Sequence, residues 1–259
     1  MAIVFVAEGE DATRWRAGLE TVLGRIDFRL WPAAGAAADV QYALAWLPPP
    51  GVLAGFPNLR AIFSLGAGVD HLLRDTHLPK GVPICRIVDP VLTQGMTEYV
   101  AWAVLSLNRD FLRYGEEQRH RMWRPGSEVR ALRAGVLGLG EIGQACARRL
   151  VQLGYEVLGW SRTPRRVDGI TCFAGRAQLG EFLAASQVLV CLLPLTAETT
   201  DLLNADTMAL LPRGAFLVNA GRGAQIVDAD LIAALDSGQL GGAILDVFRT
   251  EPLDRKSVV

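Results

Sequence analysis

The sequence predicts an α/β protein built on two doubly wound parallel sheets. Short β-branched or apolar runs alternate with helical stretches along the chain, and a glycine-rich turn joins a strand to a helix near its middle. At 259 residues the chain is long enough for two such cores. The first set of strands is expected in "AIVFVA" (2–7), "IDFRL" (26–30), "YALAWL" (42–47), "LRAIFSL" (59–65) and "PICRIV" (83–88), with "DATRWRAGLETVLG" (11–24) as a helix after the first. A proline-free stretch over 91–123 then reads as one connecting helix followed by an arm with exposed charges. The second set is expected in "AGVLGLG" (134–140), "YEVLGW" (155–160), "QVLVCLL" (187–193), "GAFLVN" (214–219) and "GGAILDV" (241–247). Between the last two, "DADLIAALDSGQLGG" predicts a helix capped by Asp228 and ended by Gly238. No repeat or low-complexity linker divides the chain, so the domain boundary is placed inside the long helix, giving domains 1–96 and 97–259.

Composition narrows the function classes. Half the residues are hydrophobic (51%) and the net charge is −1 with pI 6.3, so no global field favours nucleic acid or an anionic membrane. The cations are almost all arginine, Lys80 and Lys256 being the only lysines, as a GC-rich genome would give, and they form no basic stripe. Cys85, Cys146, Cys172 and Cys191 lie far apart with no neighbouring histidine, which argues against a zinc site and for reduced, buried thiols. The N-terminal apolar run is too short for a signal peptide and no later run approaches membrane-spanning length, so the expected location is the cytoplasm.

The chemistry begins at "AGVLGLGEIGQACARRLVQLGYEVLGWSR". Gly138 permits the tight turn, Gly140 lets a pyrophosphate approach the backbone, and Gly143 lets helix and strand pack closely. The strand, loop, helix and strand context is complete, which favours dinucleotide binding over a mere tight turn. At the end of the second strand an Asp or Glu would take the ribose hydroxyl of NAD. Here Ser161 stands instead, with Arg162, Arg165 and Arg166 beside it, a set suited to the 2′-phosphate of NADP, although a solvated basic turn would look the same. Arg222 follows one late strand and Asp246 and Glu251 follow the next. If those strands are neighbours, an arginine and a glutamate face one crevice, as a catalytic set or as a structural ion pair.

Seven motifs carry a resemblance: "SLGAGVDHL" (64–72), "DPVLTQGMTEYV" (89–100), "GLGEIG" (138–143), "WSRTPR" (160–165), "LLPLTAETT" (192–200), "NAGRG" (219–223) and "LDVFRTEPL" (245–253). In this order they resemble the D-2-hydroxyacid dehydrogenase family, and within it the NADPH-preferring glyoxylate/hydroxypyruvate reductases. The resemblance implies a flavodoxin-like substrate domain and a Rossmann dinucleotide-binding domain. It implies that Arg222 binds the substrate carboxylate and polarises its ketone, and that Glu251 orients a histidine general acid and raises its pKa. Backbone N–H groups from Leu65, Gly66, Ala67 and Gly68 would meet the carboxylate, with Trp46 as a pocket wall. Cofactor contacts are implied at Glu141, Ile142, Leu193, Pro194, Ala220 and Gly221, and Asp246 would bond the nicotinamide carboxamide. A homodimer through the arm near 107–130 is likewise implied.

The sequence departs from the family at its end. The family places its histidine after the glutamate, whereas this chain has only His71, His77 and His120, and none of them is expected to take that role. The family's return segment, which completes the first domain, is also expected to be missing, leaving apolar sheet surface uncovered and lowering stability. "DRKSVV" (254–259) fits no family motif, and one encoding of it matches a common sequencing-adapter read, so an artefact beginning at Asp254 is expected against the alternative of a naturally shortened paralogue. The function expected is NADPH-dependent reduction of glyoxylate, hydroxypyruvate or a similar small 2-oxo acid, with turnover by this chain impaired. The alternatives are a catalytically silent NADP(H)-binding sensor and a phosphoglycerate- or D-lactate-dehydrogenase-like enzyme.

Overall fold

A computed structural model describes residues 2–124 and 132–253, which fall into two units, Met1–Asp89 and Pro90–Val259. The expected tail artefact at 254–259 lies outside the described residues, as does part of the 107–130 arm. The division falls between Asp89 and Pro90, where 96/97 was expected, because the whole connecting helix packs within the second unit.

In the first unit all five expected strands form: β1 (Ala2–Ala7), β2 (Asp27–Leu30), β3 (Val40–Trp46), β4 (Ala61–Ser64) and β5 (Ile84–Cys85). They pair in parallel in the order β2-β1-β3-β4-β5, the flavodoxin-like order. Helix α1 (Ala12–Leu23) starts at Asp11, whose carboxylate accepts from the N–H groups of Thr13 and Arg14. The period-two alternation of β1 sends Val4 and Val6 to one core with Ala43, Ala45, Ile62 and, from the short helix α2 (Asp70–Leu73), Leu72. Ile3 and Phe5 go to the other, against Leu44 and the Trp15 and Leu19 side chains of α1. On that second face Phe63 of β4 stays 38% exposed.

The second unit opens with α3 (Pro90–Asn108), the expected connecting helix, and α4 (Phe111–Arg119), where an arm with exposed charges was expected. Asp110 sits in the left-handed region, φ 54°, and breaks the hydrogen-bond ladder between them. There follow β6 (Arg133–Leu137), α5 (Glu141–Gln152), β7 (Glu156–Ser161), β8 (Ile170–Ala174), α6 (Leu179–Ala185), β9 (Val188–Cys191), α7 (Ala205–Ala209), β10 (Ala215–Asn219), α8 (Asp228–Asp236) and β11 (Leu240–Leu245). The sheet is parallel in the order β11-β10-β9-β6-β7-β8, the doubly wound Rossmann order. It has six strands where five were expected. The extra one, β8, is five residues at the edge of the sheet, closed by Gly169 and Gly175, both at positive φ, so in the sequence it looks like a turn. Asp228 is the first residue of α8 and Val227 the cap, and the carboxylate of Asp230 instead accepts from Ala205 N–H at 2.8 Å.

Both faces of this sheet are covered. Val100, Ala103, Val104 and Leu107 of α3 and Cys146, Ala147 and Leu150 of α5 pack over Val136, Val190 and Val218. Phe182 of α6, Met208 of α7 and Leu231 of α8 pack over Leu137, Leu189 and Leu217. Not every cysteine is buried as expected: Cys85 is exposed and Cys172 half-buried, while Cys146 and Cys191 lie in the cores. Burial pushes the Cys146 thiol up to about 11 and that of Cys191 to about 12. At pH 8 a thiol reagent is therefore expected to modify Cys85 quickly and to reach Cys146 and Cys191 only as the protein unfolds. Equal rates for all four thiols in native buffer would contradict this arrangement.

Candidate active site

Parallel α/β sheets gather ligands at the carboxyl ends of their strands, and the expected site residues of each unit lie there. In the first unit a small cavity of about 120 Å³ opens at the ends of β1 and β3, the switch point of that sheet, with Trp46 in its wall. The Trp46 ring packs 4.5 Å from the His71 ring and lies across the backbone of Gly66, where a Cβ would come within 2.5 Å of it. Trp46 and the 65–68 turn are thus brought together. The four expected N–H donors are not equivalent. Leu65 N–H already donates to Ala45 O at 3.2 Å, and Gly66 N–H turns to Ser64 Oγ at 3.3 Å. Among the described residues no acceptor meets the N–H of Ala67 or Gly68. Ser64 Oγ donates to Gly68 O and Ile87 N–H to Gly66 O, which fix the turn from both sides. His77 and His120 are at the surface.

In the second unit the glycine loop divides its labour as its spacing implies. Gly138 sits at φ 114° with its α-carbon against Leu192, where a Cβ would lie 3.0 Å from the backbone. At Gly143 a Cβ would lie 1.7 Å from Gly138 O, so helix α5 can approach β6 only with glycine there. Gly140 is different: it is the N-cap of α5 at φ −74°, and a Cβ would meet nothing within 4 Å. The backbone N–H groups of Glu141, Ile142 and Gly143 open the helix with no side-chain cap before them. This is the cradle a pyrophosphate requires, open on the side from which one would come.

Ser161 ends β7, buried, with its hydroxyl donating to Thr163 O at 2.8 Å. Arg162, Arg165 and Arg166 follow it, all exposed. The β9 strand leads into Leu193 and Pro194, a loop tied by Thr199, whose hydroxyl donates to Pro194 O and accepts from Thr196 N–H. The Glu198 carboxyl in this loop is held below its ordinary value, chiefly by a hydrogen bond from the Thr196 hydroxyl and to a smaller degree by the charge of Arg162.

Strands β10 and β11 are neighbours, and the segments leaving them cross. At Gly223 a Cβ would lie 1.8 Å from the carbonyl carbon of Phe248, so "NAGRG" and "DVFRTEP" are in backbone contact. Phe248 N–H donates to Glu251 Oε1 at 2.7 Å, and Asp246 N–H to Asn219 O at 2.9 Å. Asp246 is exposed at the end of β11, close enough to Tyr99 of α3 to help burial raise that phenol's pKa. Arg222 has extended backbone, and its Nη1 donates to Gly221 O at 2.8 Å. Two polar residues that the sequence reasoning passed over frame it. The Asn219 side chain donates to Arg222 O and accepts from Gly221 N–H, and Gln225 accepts from Arg222 N–H, both side chains being fully buried. Their signal was there: each is an uncharged amide in an apolar run, a cost met only by several hydrogen bonds.

These features define an α/β protein whose second unit has the architecture of a dinucleotide-binding domain. Residues 101–259 match the family described as D-isomer specific 2-hydroxyacid dehydrogenase, NAD binding domain. The chain is 41% identical over 261 residues to a glyoxylate/hydroxypyruvate reductase A of Serratia proteamaculans, and 37% identical over 260 residues to one of Yersinia enterocolitica, spanning 98% of this chain and 83% of each relative. Among solved structures it resembles a D-isomer specific 2-hydroxyacid dehydrogenase of Xanthobacter autotrophicus Py2 in complex with NADPH and MES (42% identity, TM-score 0.93, 99% of this chain and 84% of that one). It also resembles an NADPH-dependent glyoxylate/hydroxypyruvate reductase of Sinorhizobium meliloti in complex with NADP and sulfate (35% identity, TM-score 0.88, the same coverage). The chain belongs to the D-isomer-specific 2-hydroxyacid dehydrogenases.

The glycines give a direct check on this geometry. Gly223→Ala is expected to destabilise the protein by about 1–3 kcal/mol or more, because two backbones must separate. Gly140→Ala is expected to stay within about 0.5 kcal/mol of the parent. Urea unfolding of both decides it, and equal losses would show that the crossing is wrongly placed.

Proposed function

We propose that this chain binds NADPH and is built to reduce small 2-oxo acids, glyoxylate and hydroxypyruvate among them, to 2-hydroxy acids. The backbone crossing at Gly223 and Phe248 carries this reading, since it joins the arginine and glutamate segments in a sheet of dehydrogenase order. The names of the relatives support it.

The glycine cradle fits a pyrophosphate, held by the first N–H groups of α5 at Glu141, Ile142 and Gly143. Ser161 leaves room where a carboxylate would repel the 2′-phosphate, and Arg162, Arg165 and Arg166 supply donors for it. Leu193, Pro194, Ala220 and Gly221 line the nicotinamide end, and Asp246 accepts from the carboxamide. When bound, NADPH supplies the hydride that the ketone carbon takes up. Arg222 holds the substrate carboxylate and stabilises the charge that develops on the ketone oxygen. Within the first unit, the N–H groups of Ala67 and Gly68 are donors suited to a carboxylate, and Trp46 walls the cavity at the ends of β1 and β3. Glu251 orients a histidine that gives the oxygen its proton. The sequence of 259 residues has no histidine after His120. The second reading is an NADP(H)-binding protein without turnover.

Trp102, Phe111 and Leu112 of α3 and α4 are each more than half exposed, which supports a homodimer through this arm. The free, partly buried thiols suit a reducing cytoplasm. Among the described residues no helix is long and apolar enough to cross a membrane.

NADPH oxidation with glyoxylate and hydroxypyruvate should be about 10² to 10⁴ slower with this chain than with one extended by a family-type histidine segment. Tight NADPH binding with no turnover in either would favour the silent module. Replacing Arg162 and Arg165 by glutamate should weaken NADPH by about ten- to a hundredfold in a fluorescence titration while leaving NADH nearly unchanged. An equal loss for both cofactors would place the 2′-phosphate elsewhere.

A further inference from the structure

The Gln225 side chain is fully buried just before α8, yet none of the roles above uses it. Its Oε1 accepts from Arg222 N–H at 2.9 Å and from the Cys191 thiol at 3.3 Å, and its Nε2 donates to Leu193 O at 2.7 Å. The amide orientation is forced, because a backbone N–H can only donate and a carbonyl can only accept. One planar group thus ties the loop after β9 to the loop after β10. It has no slack: a Cβ on Gly221 would lie 2.5 Å from Gln225 Oε1 and 2.9 Å from Leu193 O. Asn219 holds the other side of Arg222 through its carbonyl at 3.0 Å.

We propose that Gln225 is a positioning residue that couples the Leu193–Pro194 loop to Arg222, so that occupation of the dinucleotide site raises the affinity of Arg222 for a carboxylate. This rests on the reading above, in which Leu193 and Pro194 line the cofactor and Arg222 binds the substrate. A displacement of Leu193 O by a bound nicotinamide pulls on Nε2, and the rigid amide carries it to the Arg222 N–H. A role in stability alone would tie the loops equally well without linking the two ligands.

The test is calorimetric titration of oxalate, an unreactive dicarboxylate, into the chain with and without saturating NADPH. The parent should bind oxalate more tightly with NADPH present. Gln225→Met removes the hydrogen bonds to Arg222 and Leu193 at similar volume and should reduce that enhancement by on the order of tenfold, or abolish it. Gln225→Glu gives a readout within one folded protein. Its neutral carboxyl at acidic pH can donate to Leu193 O and accept from Arg222 N–H, restoring the enhancement, and its ionised form at pH 8 cannot donate and should lose it. Absence of enhancement in the parent, or its survival in Gln225→Met, or no pH-dependent return in Gln225→Glu, overturns the proposal. Arg222→Met separates the two readings: oxalate binding that survives it removes the underlying assignment, whereas oxalate binding lost there with the enhancement intact in Gln225→Met removes only the coupling.

Discussion

The candidate site of the second unit depends on one close backbone approach. Gly223 lies against the carbonyl of Phe248 so tightly that no side chain fits between them. That contact sets the spacing between the segment bearing Arg222 and the one bearing Glu251, and Glu251 in turn accepts from Phe248 N–H. Arg249, next in the chain, donates to Ile226 O at 2.5 Å and bonds Asp201, so the crossing is held from the far side as well. A residue with a Cβ at 223 would have to move one of two segments that both leave adjacent strands of the same sheet.

Around this crossing the protein places its constraint in the backbone and its freedom in the side chains. Arg222 has its N–H held by Gln225 and its carbonyl by Asn219, through amides that see no water. Each such bond adds a net of roughly 1 kcal/mol, but leaving one unmade in the core costs about 1–3 kcal/mol, so the arrangement is fixed more by what its loss would expose than by what it gains. The guanidinium is anchored at Nη1 to its own loop. Pre-organisation of this kind lowers the entropy lost when a ligand binds, because the segment presenting the charge is already ordered.

Much of this was legible in the sequence, and the exceptions have physical causes. All ten expected strands form, because a parallel strand covered on both faces reads as a continuous apolar run, as "QVLVCLL" and "GAFLVN" do. Strand β8 was missed because an edge strand is only partly covered, so "ITCFA" between two glycines lacks that signature. The break between connecting helix and arm at Asp110 was not placed, because nothing in a pattern reports one left-handed residue. At the site, the roles of Gly138 and Gly143 followed from spacing alone, since both are steric requirements of a strand–turn–helix. The commitment of Leu65 N–H to Ala45 did not, because it depends on where the ladder between β3 and β4 ends, which is a matter of register. Gln225 escaped for a related reason: it contacts loops 30 residues away in sequence, and a lone polar residue names no partner.

The distribution of burial has a consequence for how the two halves of the chemistry can vary. Arg162, Arg165 and Arg166 stand on the surface after β7, where a substitution leaves no buried group unpaired. These three positions can therefore change with little effect on the fold. Arg222 has no such latitude, because its loop is packed between Gly221 and Gly223, each with a backbone or amide where a Cβ would lie. On the proposed reading, the arginines after β7 can be exchanged freely while Arg222 stays fixed by sterics. The same asymmetry makes loss of cofactor selectivity a poor indicator of damage to the frame, and loss of carboxylate binding a sensitive one.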